Sequence, residues 1–203
     1  MAGRGLAAHQ KKVRRLGAWL IWLDESGLLM APLLRRSWAP QGHPPVIKQK
    51  AAHREKVSVA AALGLAPSWD RLGLAYRTLV NGYFDNRATA AFAGDLFEGL
   101  GGPAVLLWDG GTMHQGDPVD DLVVLCEGRL HLEPMPAHAA DLMPPEQLWT
   151  WLKYSRLCNF APANAHELNE VVLQELAVAE NDQLLLRSFL HAARLPLPRT
   201  LLS

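Results

Sequence analysis

Three carboxylates stand where chemistry on a phosphate group can be run. Asp24 closes the apolar run Ala18 to Leu23, Asp109 closes the apolar run Ala104 to Trp108, and Glu146 follows the pair Pro144-Pro145. Carboxylate oxygens are the ligands magnesium prefers, a few at a time, with positions kept for water and substrate phosphate. Two such ions about 3.5 to 4 Å apart can activate an attacking oxygen and stabilise a leaving one, with no covalent protein intermediate. Taken singly, each acid has a plainer reading. Glu146 complements a helix dipole, and Asp24 and Asp109 are polar residues where strands turn into loops.

These acids need elements to carry them. Ala18 to Leu23 reads as a buried central strand that presents Asp24 at its C-terminal end, with a turn at Ser26-Gly27 and a second strand over Leu28 to Leu34. Glu25 points to the opposite side if the first strand continues through it, which leaves it out of the ligand set. The segment Trp38 to Pro45, rich in proline, predicts an irregular, exposed loop. Strands at Lys56 to Leu63 and Arg71 to Leu79, separated by the breaker-rich Gly64 to Asp70, extend an antiparallel meander.

Ala88, Phe92, Leu96 and Leu100 recur every four residues and predict a helix over Asp85 to Leu100, ended by Gly101, Gly102 and Pro103. Ala104 to Trp108 is again a short strand that delivers an acid. Asp117-Pro118 predicts a helix running to about Cys126 with Asp117 as its cap, and His131 to Met135 a strand. Glu146 lies in the first turn of a helix whose apolar face includes Leu148, Trp151, Leu152 and Leu157. A long helix from Ala165 to Ala193 precedes Pro196 and Pro198. The expected architecture is an α/β domain over residues 18–203: a mixed sheet of three antiparallel strands followed by parallel strands, flanked by helices, behind a basic extension of residues 1–17.

At 203 residues, 49% of them hydrophobic and 20% charged, the chain has the composition of one globular domain and not of a disordered one. Lys11, Lys12, Arg14 and Arg15 ahead of Ala18 to Leu23 imitate a secretory signal, but Asp24 and Glu25 follow at once and no small-residue cleavage site comes next. No run approaches the roughly eighteen apolar residues of a membrane helix, so a cytoplasmic protein without membrane partners is expected. Cys126 and Cys158 lack the paired spacing of a zinc site and read as buried reduced thiols. The net charge of zero hides an asymmetry: residues 1–56 carry eleven Lys or Arg against three acids, and the remainder nine against seventeen. A basic first third can lie along a polyanion, although from charge alone a solvated basic face is the simpler account.

The segments around the three acids resemble the DDE superfamily transposases, in their mariner-like bacterial insertion-sequence branch. Trp22-Leu23-Asp24-Glu25-Ser26-Gly27 is similar to the first motif, and Ser37-Trp38-Ala39-Pro40-Gln41-Gly42-His43-Pro44 resembles the loop "W-x-x-x-G-x-P". Leu106-Leu107-Trp108-Asp109 with His114 five residues on resembles the second motif. Leu142 to Lys153 resembles the third, "L-N-P-x-E-x-x-W-x-x-x-K", and the 37 positions between Asp109 and Glu146 match the usual gap. The resemblance covers about residues 18 to 160, with four blocks in order.

It implies a ribonuclease-H-like fold in which Asp24, Asp109 and Glu146 bind two Mg²⁺ or Mn²⁺ ions, nick double-stranded DNA at element ends and join it to a target. His114 is then a supporting residue, with a hydrogen-bonding turn histidine as its other reading, and Lys153 contacts a phosphate or is simply solvated. It further implies a nucleoid-associated enzyme, a homodimer that pairs two DNA ends, and a separately encoded helix-turn-helix segment, since only about seventeen residues precede the first strand. Gly110 and Met143 depart from the pattern, each standing where the family has asparagine beside a catalytic acid. Losing such partners lowers metal affinity or activity about ten- to a hundredfold. Two alternatives therefore accompany the transposase reading: a decayed, noncatalytic DNA-binding or assembly protein, and a ribonuclease-H-like nuclease without strand transfer.

Overall fold

The computed structural model describes residues 2–31, 33–48, 55–109, 116–135 and 143–195, with side chains from residue 9 onward. Helix α1 (Ala2–Leu16) leads into β1 (Trp19–Leu29), the middle strand of the sheet. Leu20, Ile21, Trp22 and Leu23 are consecutive and all buried, as in a strand covered on both faces. On one side β1 pairs antiparallel with β2 (Lys56–Leu65), which pairs antiparallel with β3 (Leu72–Val80). After α2 (Asn86–Leu100), β4 (Ala104–Trp108) pairs parallel with the other side of β1. Following α3 (Asp117–Leu125), β5 (Leu130–Pro134) adds parallel to β4, giving the order β3-β2-β1-β4-β5. The expected mixed sheet, antiparallel first and parallel after, is the one that forms.

Side chains of β1 alternate between two cores. Leu20 and Trp22, with Val105 and Leu107, face α4 (Pro144–Trp151), α5 (Ala165–Glu180) and α6 (Gln183–Ala192). Ile21 and Leu23, with Leu106, face α2 and α3. Burial of these two apolar sets fixes the strand register, because a slip of one residue would exchange the cores.

Several expectations change. The turn at Ser26-Gly27 and the separate strand over Leu28 to Leu34 are replaced by a single β1 that runs to Leu29. β2 pairs with every position from Leu20 to Leu29, Gly27 opposite Ser58 included, and this continuous ladder overrides the local turn preference of Ser-Gly. Residues 33–48 carry no regular strand, and Trp38 within them is 100% exposed, in keeping with the irregular loop expected there.

The basic extension is helical as α1. Its Val13 is buried beneath the sheet, Lys12 Nζ donates to Glu133 Oε1 at 2.6 Å, and the Arg14 guanidinium lies 4.7 Å from the Trp69 ring. The long helix expected over Ala165 to Ala193 is broken in two. Asn181 ends α5, and Asp182 caps α6 by accepting from Leu185 N at 3.0 Å. The break lets Gln183 clamp β3, donating to Leu72 O at 2.8 Å and accepting from Leu72 N at 3.0 Å, which covers part of an edge strand.

Helix α2 ends where expected, at Gly101 in a left-handed conformation (φ 65°) that glycine adopts without strain. Gly116, not Asp117, occupies the cap position of α3. Both cysteines are free, but only Cys126 is buried, Cys158 being half-buried. No described helix is long and apolar enough to cross a membrane.

Candidate active site

The site begins with strand register. β1 and β4 pair from Trp19–Ala104 to Trp22–Leu107, and each acid lies two residues beyond that last pair, Asp24 within β1 and Asp109 immediately past the end of β4. Asp24 continues the parity of Trp22, whose side chain packs on the α4 face. Asp24 therefore does not end its strand as expected, because the ladder with β2 carries β1 on to Leu29; it lies in mid-strand, just beyond the stretch that pairs with β4, beside the point where the chain leaves β4 at Asp109. Glu25 has the opposite parity, and the Thr89 hydroxyl of α2 approaches its Oε1 at 3.4 Å on the far face.

Helix α4 supplies the third acid. Pro144 and Pro145 occupy its first turn and Glu146 follows, exposed. Three residues later, on the same helix face, Trp149 donates from Nε1 to Asp24 Oδ2 at 2.9 Å. Burial above all pushes the Asp24 carboxyl up from its ordinary 3.8 to about 6; the indole hydrogen bond opposes the rise and the Glu146 charge adds to it. Asp24 and Glu146 are therefore close enough to feel each other's charge.

One turn beyond Trp149, the helix widens into a π-helical turn, Leu152–Arg156, closed by Leu157 N to Leu152 O at 2.9 Å. Lys153 lies in this turn and donates from Nζ to Ser26 Oγ at 2.6 Å, so it is seated on β1, two residues past Asp24 on the same face. The solvated lysine of the sequence reading is not what forms.

Among the described residues no three His, Cys, Asp or Glu side chains converge tightly enough to hold a metal ion. The structure brings Asp24 and Glu146 within reach of each other's charge, places Asp109 directly after the adjoining strand and seats Lys153 on Ser26 of β1. His114 and Gly110 fall outside the described residues. Met143 takes the N-cap position of α4 with no side-chain cap bond and is 4% exposed. Pro144 and Pro145 have no N–H, so one of the two donors a capping side chain could reach does not exist, and the other, Glu146 N, already donates to Met143 O at 3.0 Å, so an apolar residue is tolerated at the cap.

Trp149 and Ser26 are the residues that reading the chain left without a role. The signal for Trp149 was its place three residues after Glu146, on one helical face with it; Ser26 was hidden by the turn expected there.

Comparison with solved structures gives the same architecture. The chain superimposes on the pre-cleavage Mos1 transpososome with a TM-score of 0.67 at 13% identity, covering 98% of this chain and 59% of that one. For the mariner Mos1 paired-end complex with Mg the TM-score is 0.64 at 16% identity, covering 98% and 57%. For the catalytic domain of Mos1 mariner transposase it is 0.60 at 13% identity, covering 98% and 88%. The chain thus spans a little under three fifths of the chains in those assemblies and most of the isolated catalytic domain, with which it shares the ribonuclease-H-like fold. No curated protein matches the sequence. The family model of the DDE superfamily endonucleases matches residues 19–171, a span that contains Asp24, Asp109 and Glu146, and the chain belongs to that family.

Proposed function

We propose that this chain is the catalytic domain of a DNA transposase that cuts at element ends and joins the freed end to target DNA, using divalent cations held by Asp24, Asp109 and Glu146. The observation that carries this reading is the meeting of β1, β4 and α4: Asp24 on the central strand, bonded to Trp149 of the helix that carries Glu146, next to the point where the chain leaves β4 at Asp109. The donor set suits Mg²⁺ or Mn²⁺, since all three ligands are carboxylates and the mutual repulsion of Asp24 and Glu146 is what a cation between them relieves. The paired-end complexes of Mos1 with Mg and with Mn, similar in fold, support the same choice of ions.

When bound, the two ions activate the attacking oxygen and stabilise the leaving one. The chain's own contribution is placement. β1 fixes Asp24 where its pairing with β4 stops and β4 delivers Asp109 to the same level, Trp149 holds Asp24, and Lys153 is seated on β1 through Ser26. Double-stranded DNA is the proposed partner. Lys11, Arg14 and Arg15 of α1 are exposed and supply positive charge for phosphates. A homodimer would bring two element ends together; the Mos1 transposase, similar in fold, is solved in a paired-end complex with a transposon end. His114 is retained as a supporting residue on the resemblance alone.

The test is cleavage and strand transfer of labelled element-end DNA with Mg²⁺ or Mn²⁺, comparing the chain with Asp109→Ala. Metal-dependent nicking lost in the variant supports the reading, and joining of the nicked end separates a transposase from a simple nuclease. Folded protein that binds DNA without cutting it favours the decayed alternative.

A further inference from the structure

An aspartate on a rigid strand is not yet an oriented ligand. The torsion that turns a carboxylate about its last bond is broad and nearly two-fold, so β1 fixes the Asp24 backbone without fixing its oxygens. Something must hold one oxygen, and Trp149 does so. Its ring is 3% exposed among core residues while its one polar atom, Nε1, reaches Asp24 Oδ2 at 2.9 Å.

We propose that Trp149 is a positioning residue for Asp24: its indole N–H sets the rotation of the carboxylate and ties it to the helix that carries Glu146, so that first and third acids are presented to a cation as one unit. The inference rests on the metal-binding reading of these acids. Two further observations support it. The Lys153–Ser26 bond forms a second rung one helical turn along, again between this helix and the same face of β1. And an indole buried here does not acquire a partner automatically: Trp22, two residues before Asp24 on the same face and 0% exposed, has no hydrogen-bond partner for its Nε1 among the described residues. The donor at Trp149 is thus a specific feature of the site and not a general property of the core.

Trp22 also supplies the control. Mn²⁺ binding is titrated by electron paramagnetic resonance of the free ion, at one pH, for the wild-type chain, Trp149→Phe and Trp22→Phe, with thermal unfolding recorded for each. Both variants lose similar buried volume, but only the first loses a hydrogen bond to a ligand. Trp149→Phe is expected to weaken Mn²⁺ binding about ten- to a hundredfold, the range for removing a group that orients a metal ligand. Trp22→Phe should stay within about threefold of wild type even where its melting temperature falls as far. Equal affinities for the two variants, or an unchanged Trp149→Phe, overturn the positioning role and leave the metal site standing. A wild-type chain that binds no Mn²⁺ at millimolar concentration overturns the metal reading and this inference with it. Should Trp149→Phe fail to fold, wild-type ¹⁵N spectra decide the matter: Mg²⁺ should shift the Trp149 indole resonance saturably and leave that of Trp22 in place, and an unmoved Trp149 resonance refutes the proposal.

Discussion

Lys153 Nζ donates to Ser26 Oγ at 2.6 Å, which joins a π-helical turn to the central strand two residues past Asp24. Hydrogen bonds to charged groups contribute roughly 1.5–3 kcal/mol, and the half-buried setting of Lys153 puts this one near the low end. Lys153→Met, which keeps most of the aliphatic stem, should therefore lower unfolding free energy by about 1–2 kcal/mol in urea titrations. Cleavage should fall with it, because the seat of the helix bearing Glu146 loosens. Unaltered stability with weaker DNA binding would mean that the lysine serves only a phosphate.

The like charges of Asp24 and Glu146 make stability depend on both pH and cations. Asp24 rises from 3.8 to about 6 in the fold, chiefly through burial, so the folded state favours its protonated form. A raised folded value gives stability that is complete below about pH 3.8 and is lost as pH climbs through about 6. The gap corresponds to on the order of 3 kcal/mol. In cation-free buffer the difference in unfolding free energy between wild type and Asp24→Asn should change by roughly that amount between pH 4 and pH 7, wild type losing ground as pH rises. A flat difference would show that Asp24 is solvated in solution.

Added Mg²⁺ or Mn²⁺ should reverse that loss at pH 7.5. A ligand at a hundred times its dissociation constant stabilises the folded state by about 2.7 kcal/mol, which for a domain of this size raises the melting temperature by roughly 5–10 °C. The rise should vanish in Asp24→Asn and Glu146→Gln, and matched ionic strength from NaCl should not reproduce it. An identical rise in wild type and both variants would place the cation elsewhere.

What the chain discloses to a reader and what it hides differ for physical reasons. The buried strand segments ahead of Asp24 and Asp109 were legible because each is a run of consecutive apolar residues, and a strand buried on both faces announces itself that way. The place of Glu146 in the first turn of a helix was legible from the prolines that open it. Continuation of β1 through Ser26-Gly27 was not, because it depends on β2, whose partner positions lie about thirty residues away and leave no local trace. The division between α5 and α6 was masked for a similar reason: the apolar pattern runs on through Asn181-Asp182, and only the clamp of Gln183 on Leu72 requires the break. The Trp149–Asp24 bond joins residues 125 positions apart, and an indole in a helix reads as core until the strand it touches is known.

The opposite facing of neighbouring acids gives a sharper test. Glu25 lies against α2, beside Thr89, while Asp24 lies against α4. Asp24→Asn should reduce metal-dependent cleavage by at least about a thousandfold, a loss of about 4 kcal/mol in transition-state stabilisation. Glu25→Gln should leave the rate within about threefold. Comparable losses in both variants, with both folded by circular dichroism, would contradict the strand parity on which the site is built.

Restoring the family's asparagine at Met143 should not help. A side chain capping α4 is worth about 1 kcal/mol where it can reach the N–H groups of the first turn, but Pro144 and Pro145 leave fewer of them to reach. Against this gain stands the removal of a methionine that is 4% exposed and packed with Trp149's core, whose burial contributes roughly 1.5–3 kcal/mol. Met143→Asn should accordingly destabilise the chain by about 1–2 kcal/mol in denaturant titrations and leave Mn²⁺ affinity within about threefold. A variant that instead binds Mn²⁺ tenfold more tightly would show that the side chain at this position reaches the carboxylates, and that its apolar character in this chain weakens the site.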